Sequence, residues 1–260
     1  MISDRNARLA AARRLTRRSA RRDAGRFLAE GAQAVREALR RPDVVVEVFA
    51  TAAALDRHRD LLEGADVPVA EVSAKAAAAL SETVSPQGLV AVCERVDVAL
   101  SVAFGRRPTL AVALVEPNDP GNLGTIVRTA DAAGAGLIVI VGSGVDVYNG
   151  KAVRASAGSL FHLDVVVDAP AEEVLSAARA AGMACLAATG SGRIELQDAP
   201  LAERTLWLFG TEAHGLSEDI VRAADAAVRV PIYGAAESLN LAMAAAVCLY
   251  ASAAAHHSLR

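Results

Sequence analysis

"TLAVALVEPNDPGNLGTIVRTADAAG", residues 109–134, carries an unbroken apolar run to Val115, then a loop rich in Asn, Pro and Gly, then a stretch with helical periodicity. A strand without polar alternation is covered on both faces, which is the habit of parallel sheets. A loop at the carboxyl end of such a strand is where open α/β sheets hold ligands. Pro117, Asn118, Pro120 and Gly121 fix the turn, and Asn122 is expected to cap the helix that follows. Gly124 allows close backbone approach at the positive end of that helix. Arg128 stands six residues after Asn122. It either pairs with Asp131 at i,i+3 on a solvated helix face or serves the loop, and spacing alone leaves both open.

Outward from this stretch the alternation continues. Strands are expected at 109–115, 137–141, 163–167, 183–188, 205–210 and 227–230, with helices near 122–134, 150–158, 170–181, 217–224 and 238–255. Upstream, "FLAE", "VVVEVFA", "VPVAEV" and "GLVAVCERV" alternate with helix-period segments and make a smaller α/β unit that ends near residue 97. "DVALSVAFGRRP" continues neither period, and a linker is expected at 98–107. The division expected is therefore a basic arm and small α/β domain over 1–105 and a larger α/β domain over 106–260.

At 260 residues the chain is long enough for two domains with real cores, and no tract has a disordered composition. The net charge of −3 conceals an asymmetry. Residues 1–41 carry 12 Arg against Asp4, Asp23, Glu30 and Glu37, a local +8 on a body of −11. Acids able to pair that segment from within are few, so Arg13, Arg14, Arg17 and Arg18 are expected to face a polyanion. The same segment lacks the apolar run of a secretory signal. Cys93, Cys185 and Cys248 lie far apart without metal-ligand spacing, which suits buried, reduced thiols, a cytoplasmic protein and no metal. The last helix, "SLNLAMAAAVCLYASAAA", has no charge, yet it is Ala-dominated and short for a span. A helix packed at a core or subunit interface is expected there, with no membrane.

Two further loops share the theme of the first. In "LWLFGTEAHGLS", 206–217, Gly210 and Gly215 bracket Glu212 after the most apolar strand of the chain. The plain alternative for Glu212 is an acid near the N-terminus of the helix at 217–224. In "VRVPIYGAAESLNLAM", 228–243, Ser238 is expected to cap the last helix, and Asn240 is an amide in an apolar setting that must find partners. No G-K-[ST] follows the glycines, and no G-x-G-x-x-G precedes an acid, so neither a P-loop nor a dinucleotide fold is supported.

Together, "DPGNLGTIVRTADAAG", "LFGTEAHGLS" and "VPIYGAAESLNLAMAAAVCLY" resemble the three ordered motifs of the SpoU (TrmH-like) RNA ribose 2′-O-methyltransferases of the SPOUT superfamily, over about residues 108–255. "SPQGLVAVCERV" and the basic start are similar to the N-terminal RNA-binding domain that many of these enzymes carry. The resemblance implies an α/β catalytic domain with a parallel sheet and a deep trefoil knot, a homodimer, and S-adenosylmethionine as cofactor. It implies cofactor contacts at Thr189, Gly210, Gly215, Val230, Ile232 and Leu239, and catalytic roles for Arg128, Asn122, Glu212, Ser238 and Asn240. Lys151 and Arg154, at i,i+3 on a short helix, would lie by the RNA path.

The implied substrate is structured RNA, ribosomal rather than transfer RNA, with the large subunit favoured. A guanidinium stays protonated and is a poor base, so Arg128 is read as clamping a phosphate and stabilising a developing alkoxide. The competing reading is a non-catalytic RNA-binding or ribosome-assembly protein that keeps the fold. It predicts loss of Asn122, Arg128, Glu212 or Asn240, and all four are present.

Overall fold

A computed structural model describes residues 1–41 and 43–258. The chain forms two compact units, one from Met1–Val96 together with Asp146–Phe161, the other from Asp97–Val145 and the residues from His162 onward. The sequence reading set the division at 105/106 and left 146–161 in the second domain; the observed division departs from it at both places.

In the first unit, helices α1 (Ala7–Arg14) and α2 (Arg18–Ala24) lead into β1 (Arg26–Glu30), α3 (Ala32–Leu39) and β2 (Val45–Ala50). Helices α4 (Ala52–Arg57) and α5 (Arg59–Leu62), strand β3 (Val69–Glu71), α6 (Ala74–Ala78) and β4 (Leu89–Glu94) complete it. The sheet order is β1-β4-β2-β3, antiparallel except for the β2–β3 pair. On one face Leu9, Ala12 and Leu15 pack against Leu28, Phe49, Val90 and Val92. Those three positions recur every three residues, so the basic start is a pair of docked helices and not a loose arm. On the other face Phe27 meets Tyr148 at 4.7 Å and Phe161 at 6.0 Å between ring centroids, which is why 146–161 belongs to this unit. Burying each such ring is worth about 1.5–3 kcal/mol.

The basic segment is also better neutralised than its own acids allow. Arg8 pairs with Glu47, Arg21 with Asp146, Arg26 with Glu94 and Arg40 with Glu37, and three of those acids come from outside residues 1–41. Arg21 is 4% exposed; its Nε donates to Asp146 Oδ2 at 2.8 Å and its Nη1 to the carbonyls of Leu15 and Thr16.

The second unit opens with α7 (Leu100–Gly105), in the stretch expected to be a linker. Ala103 and Phe104 are buried in its core, so Leu100, Ala103 and Phe104 make a short helical stripe. Strand β5 (Leu110–Val115), α8 (Pro120–Ala132) and β6 (Leu137–Val141) follow, and then the excursion through the first unit that contains α9 (Gly150–Ala155). The chain continues with β7 (Asp164–Ala169), α10 (Ala171–Ala180), β8 (Ala184–Ala188), the two-residue β9 (Ile194–Glu195) and β10 (Thr205–Phe209). It ends with α11 (Glu218–Ala223), β11 (Ala226–Arg229) and α12 (Leu241–Ser258).

All seven strands are parallel, in the order β7-β6-β5-β10-β8-β11-β9. Every residue of β5, β6 and β10 is buried. Ala111, Ala113, Val139 and Leu208 face α7 and α10, while Trp207 on the opposite face donates its Nε1–H to Ser252 Oγ of α12 at 2.9 Å. The chain leaves β5 toward β6 on one side, yet β10 flanks β5 on the other. The carboxyl ends of β5, β10, β8 and β11 therefore lie side by side at a topological switch point. Among the described residues no helix is long and apolar enough to cross a membrane.

Candidate active site

After β5 the chain turns at Glu116, whose φ is +47°, and enters α8 through Asp119 and Pro120. The cap of α8 is Asp119, whose Oδ1 accepts from Asn122 N at 2.8 Å, and not Asn122 as expected. Proline is preorganised for the first helical position, so the helix begins two residues earlier than the Asn-based reading placed it. The shift has a chemical result: the Asn122 amide is freed from capping and points out of the first turn.

After β10 the loop closes on itself, Thr211 N donating to Gly215 O at 3.1 Å and Gly215 N to Thr211 O at 2.9 Å. Gly215 has φ +66°, and a Cβ on Gly210 would lie 2.0 Å from the Gly215 carbonyl carbon. Only glycine fits there, because the obstruction is backbone. Glu212, Ala213 and His214 form the tip. Ser217 caps α11, so Glu212 is not an acid of that helix. Its carboxylate instead faces the start of α8: Oε2 accepts from Asn118 N and Oε1 from Asp119 N, both at 3.3 Å, and Oε1 also from Asn122 Nδ2 at 3.2 Å. A carboxylate at a helix N-terminus is favoured by the backbone dipoles as well as by those bonds.

After β11 the segment 230–240 runs without regular structure to α12. The cap of α12 is Asn240 and not Ser238. Asn240 Oδ1 accepts from Ala242 N at 2.9 Å and Met243 N at 3.4 Å, while its Nδ2 donates to Asn122 Oδ1 at 3.3 Å. The amide expected to need partners has them at both ends. Asn240, Asn122 and Glu212 thus form one hydrogen-bonded chain across all three loops.

Beside this chain lies a cavity of about 410 Å³ at the ends of β8, β10 and β11. Thr189, Gly210, Gly215, Val230, Ile232 and Leu239 all line it, as do Glu212, Ser238 and Asn240. Gly190, Thr211 and Glu237 also line it and were missed; each adjoins a named residue, and adjacency was the only signal available. Asn122 is one hydrogen bond from the wall. Arg128 is exposed farther along α8, and it has no ion pair or hydrogen bond among the described residues. The helix-face alternative for it does not form, because Asp131 Oδ2 sits 2.8 Å from His162 Nδ1.

The residues expected to meet RNA separate into two kinds. Arg13, Arg14, Arg17, Arg18 and Lys151 are exposed. Arg154 is half-buried, its Nη1 3.0 Å from Glu30 Oε2, where it anchors α9 to β1 of the first unit. Among the described residues no group of three or more His, Cys, Asp or Glu is arranged to hold a metal ion. All three cysteines are buried and free. Burial pushes the thiols of Cys185 and Cys248 up to about 12, with Asp225 adding to the effect at Cys185, and it raises Cys93 as well.

Comparison with known proteins agrees with this geometry. Residues 109–250 match the model of the SpoU rRNA Methylase family, and residues 6–91 match that of the MRM3-like substrate binding domain. The 23S rRNA (guanosine(2553)-2′-O)-methyltransferase RlmP of Bacillus subtilis is 35% identical over 86% of this chain and 87% of its own. The crystal structure of the SpoU methyltransferase AviRb from Streptomyces viridochromogenes in complex with AdoMet superposes with TM-score 0.87 at 32% identity, covering 98% of this chain and 99% of that one. An AdoMet-bound rRNA methyltransferase from Sinorhizobium meliloti gives TM-score 0.85 at 31% identity, over 97% and 96% of the two chains.

Proposed function

The chain belongs to the SpoU rRNA methylase family, and from that premise we propose that it transfers a methyl group from S-adenosylmethionine to a ribose 2′-hydroxyl of ribosomal RNA, on the large subunit. The observation that carries this reading is the cavity at the strand ends, whose lining includes all six residues read as donor contacts. Its volume falls in the range of small-molecule sites, roughly 300–1,000 Å³. Its lining pairs apolar walls at Val230, Ile232 and Leu239 with polar groups at Thr189 and Ser238, which suits an adenosine bearing an amino-acid tail.

Bound there, S-adenosylmethionine supplies a sulfonium methyl, whose S–C bond breaks onto sulfur as the O2′–C bond forms. The chain's main task is then alignment, since holding two reactants in line supplies up to about 7–11 kcal/mol in favourable cases. The Asn240–Asn122–Glu212 chain keeps the three loops in register. Arg128, exposed and without an ion pair among the described residues, binds the phosphate beside the target ribose and offsets the charge that grows on O2′ as its proton leaves to water. Arg13, Arg14, Arg17, Arg18 and Lys151 contact RNA phosphates beyond the target.

The working unit is a homodimer, with α12 at its interface. Met243, Val247 and Tyr250 recur along one stripe of that helix and are 43–53% exposed, an apolar surface that a lone subunit leaves in water. The 230–240 segment belongs to a trefoil knot. In support, the chain passes from β11, outside β8, back to α12, which packs on α8 and β10. The protein works in the cytoplasm, where buried reduced thiols are at home. The test is methyl transfer from labelled S-adenosylmethionine to ribosomal RNA, followed by mapping of the resistant ribose. Calorimetry that detects no donor binding would leave only an RNA-binding protein.

A further inference from the structure

The first unit contains a second and larger cavity, about 760 Å³, between α1 and α2 on one side and β2 and β4 on the other. Its floor is apolar, with Leu15, Val46 and Val92, and its rim carries the guanidiniums of Arg8, Arg14 and Arg17. Two carboxylates line it, Asp23 exposed at the rim beside those arginines and Glu47 buried inside.

Glu47 is there because β2 is irregular. The β2–β4 register slips between Val45, opposite Cys93, and Glu47, opposite Val92. Val46 is the extra residue. A bulge of this kind turns side chains that strict alternation would separate toward one side. Glu47 thereby shares the face of Val92 and Phe49, under the basic helices. It is 9% exposed, and its Oε2 is buried without a hydrogen-bond partner among the described residues; Arg8 Nη1 stands 3.4 Å away. Desolvation raises its pKa, against the pull of Arg8 and Arg26. A buried carboxylate oxygen lacking a hydrogen bond is costly, and the Arg8 ion pair at 3.4 Å leaves room for a donor to satisfy it.

The occupant must satisfy opposite demands. Its outer parts must be anionic, to meet the mostly basic rim, which disfavours a basic peptide. Its inner part must bring neutral N–H donors to a carboxylate. A nucleotide meets both conditions. Among the bases only guanine presents two adjacent donors, N1–H and N2–H, without an acceptor between them. Adenine and cytosine set an acceptor beside their amine, and uracil flanks its N–H with two carbonyls. Single-stranded or looped-out RNA offers such an edge, and guanidinium planes can stack on the exposed base.

We propose that this groove seats an unpaired guanine of the RNA substrate, with Glu47 accepting from its N1–H and N2–H and with Arg14 and Arg17 binding the adjoining phosphates. The inference rests on the RNA-methyltransferase reading and adds a sequence-reading site to it.

The test is fluorescence anisotropy of the full-length protein with pentaribonucleotides of uridine that carry one central guanosine, inosine or adenosine. The guanosine oligomer binds about ten-fold more tightly than the other two, since inosine lacks N2–H and adenosine lacks both donors. Glu47→Gln removes that preference. Arg14→Ala with Arg17→Ala weakens all three alike and flattens the salt dependence. Equal affinities in the unaltered protein, or a preference that survives Glu47→Gln, overturns the proposal. Guanosine monophosphate that competes as well as the oligomer does overturns the RNA assignment. Photocrosslinking with 6-thioguanosine in the same oligomer needs no variant: attachment within 46–47 or at Val92 supports the site, and attachment elsewhere refutes it. Methyl transfer to ribosomal RNA, measured alongside, separates the two readings. Transfer without guanine preference defeats only the groove assignment, and absence of transfer defeats the enzyme reading itself.

Discussion

Asn122 Nδ2 donates to Glu212 Oε1 at 3.2 Å, joining two loops whose residues stand 90 positions apart in the chain. Both partners are open to solvent on at least one side, so the bond contributes little to stability. Its value is positional, since Glu212 also receives two backbone N–H groups from the entry to α8.

Glu212→Gln presents an amide N–H where one of those donors already points. The expected outcome is a drop of about 100-fold in kcat/KM, the scale of a misplacement near 1 Å. The melting temperature should stay within a few degrees. Steady-state methyl transfer and thermal unfolding read the two quantities separately.

Asn240 has two duties that substitutions can divide. Asn240→Asp keeps the oxygen that caps α12 and loses the Nδ2 donor to Asn122, so stability is kept while turnover falls. Asn240→Ala loses both, with about 1 kcal/mol of stability gone in addition. Equal melting temperatures for the two variants would refute the capping role.

Arg128 is the cleanest test of charge management. It is exposed and uncommitted within the described residues, so Arg128→Ala should leave unfolding nearly unchanged. Turnover should fall by roughly 10²–10³, the cost of removing an oxyanion stabiliser. Arg128→Lys with near-normal turnover on saturating RNA would exclude any role that depends on a planar fork of donors.

Arg21 carries the opposite expectation. Its guanidinium is buried and holds Asp146 and two carbonyls, so Arg21→Ala leaves the Asp146 charge without its partner. A loss of about 3–5 kcal/mol is expected, and Arg21→Met should cost less only when combined with Asp146→Leu. Denaturant unfolding of the single and double variants measures the coupling.

The thiols set an alkaline limit. Their native pKa values lie above the ordinary 9.0, at about 12 for Cys185 and Cys248, so the unfolded chain releases these protons first. Stability from keeping them neutral is complete below pH 9 and is lost between 9 and 12, as the unfolded state binds fewer protons than the native one. Thiol-specific reagents should accordingly react in step with global unfolding, and fast labelling of the native protein at pH 8 would contradict the burial.

Much of the second unit was legible because its strands are continuous apolar runs and its loops carry Pro, Asn and Gly at their turns. Helices α1 and α2 were not, since arginines dominate them and only Leu9, Ala12 and Leu15 report the buried side. The stretch 100–105 hid for a related reason: three apolar positions are too few to establish a period beside Gly105 and Pro108. Capping was misread twice. Ser238 and Asn122 are both good cap residues by type, but Pro120 and the Asn240 oxygen decide where the helices begin. Arg154 and Arg21 were invisible as structural residues because their partners, Glu30 and Asp146, lie more than a hundred positions away.

The interleaving of the two units limits how the gene can be cut. The backbone passes between them at Val96/Asp97, Val145/Asp146 and Phe161/His162. A chimera that borrows a relative's amino-terminal half up to residue 96 therefore keeps Tyr148 and Phe161 of this chain but loses the Phe27 they pack against. Exchanging the first unit between homologues is a two-fragment graft, and recombination libraries with a single crossover should be depleted of folded progeny.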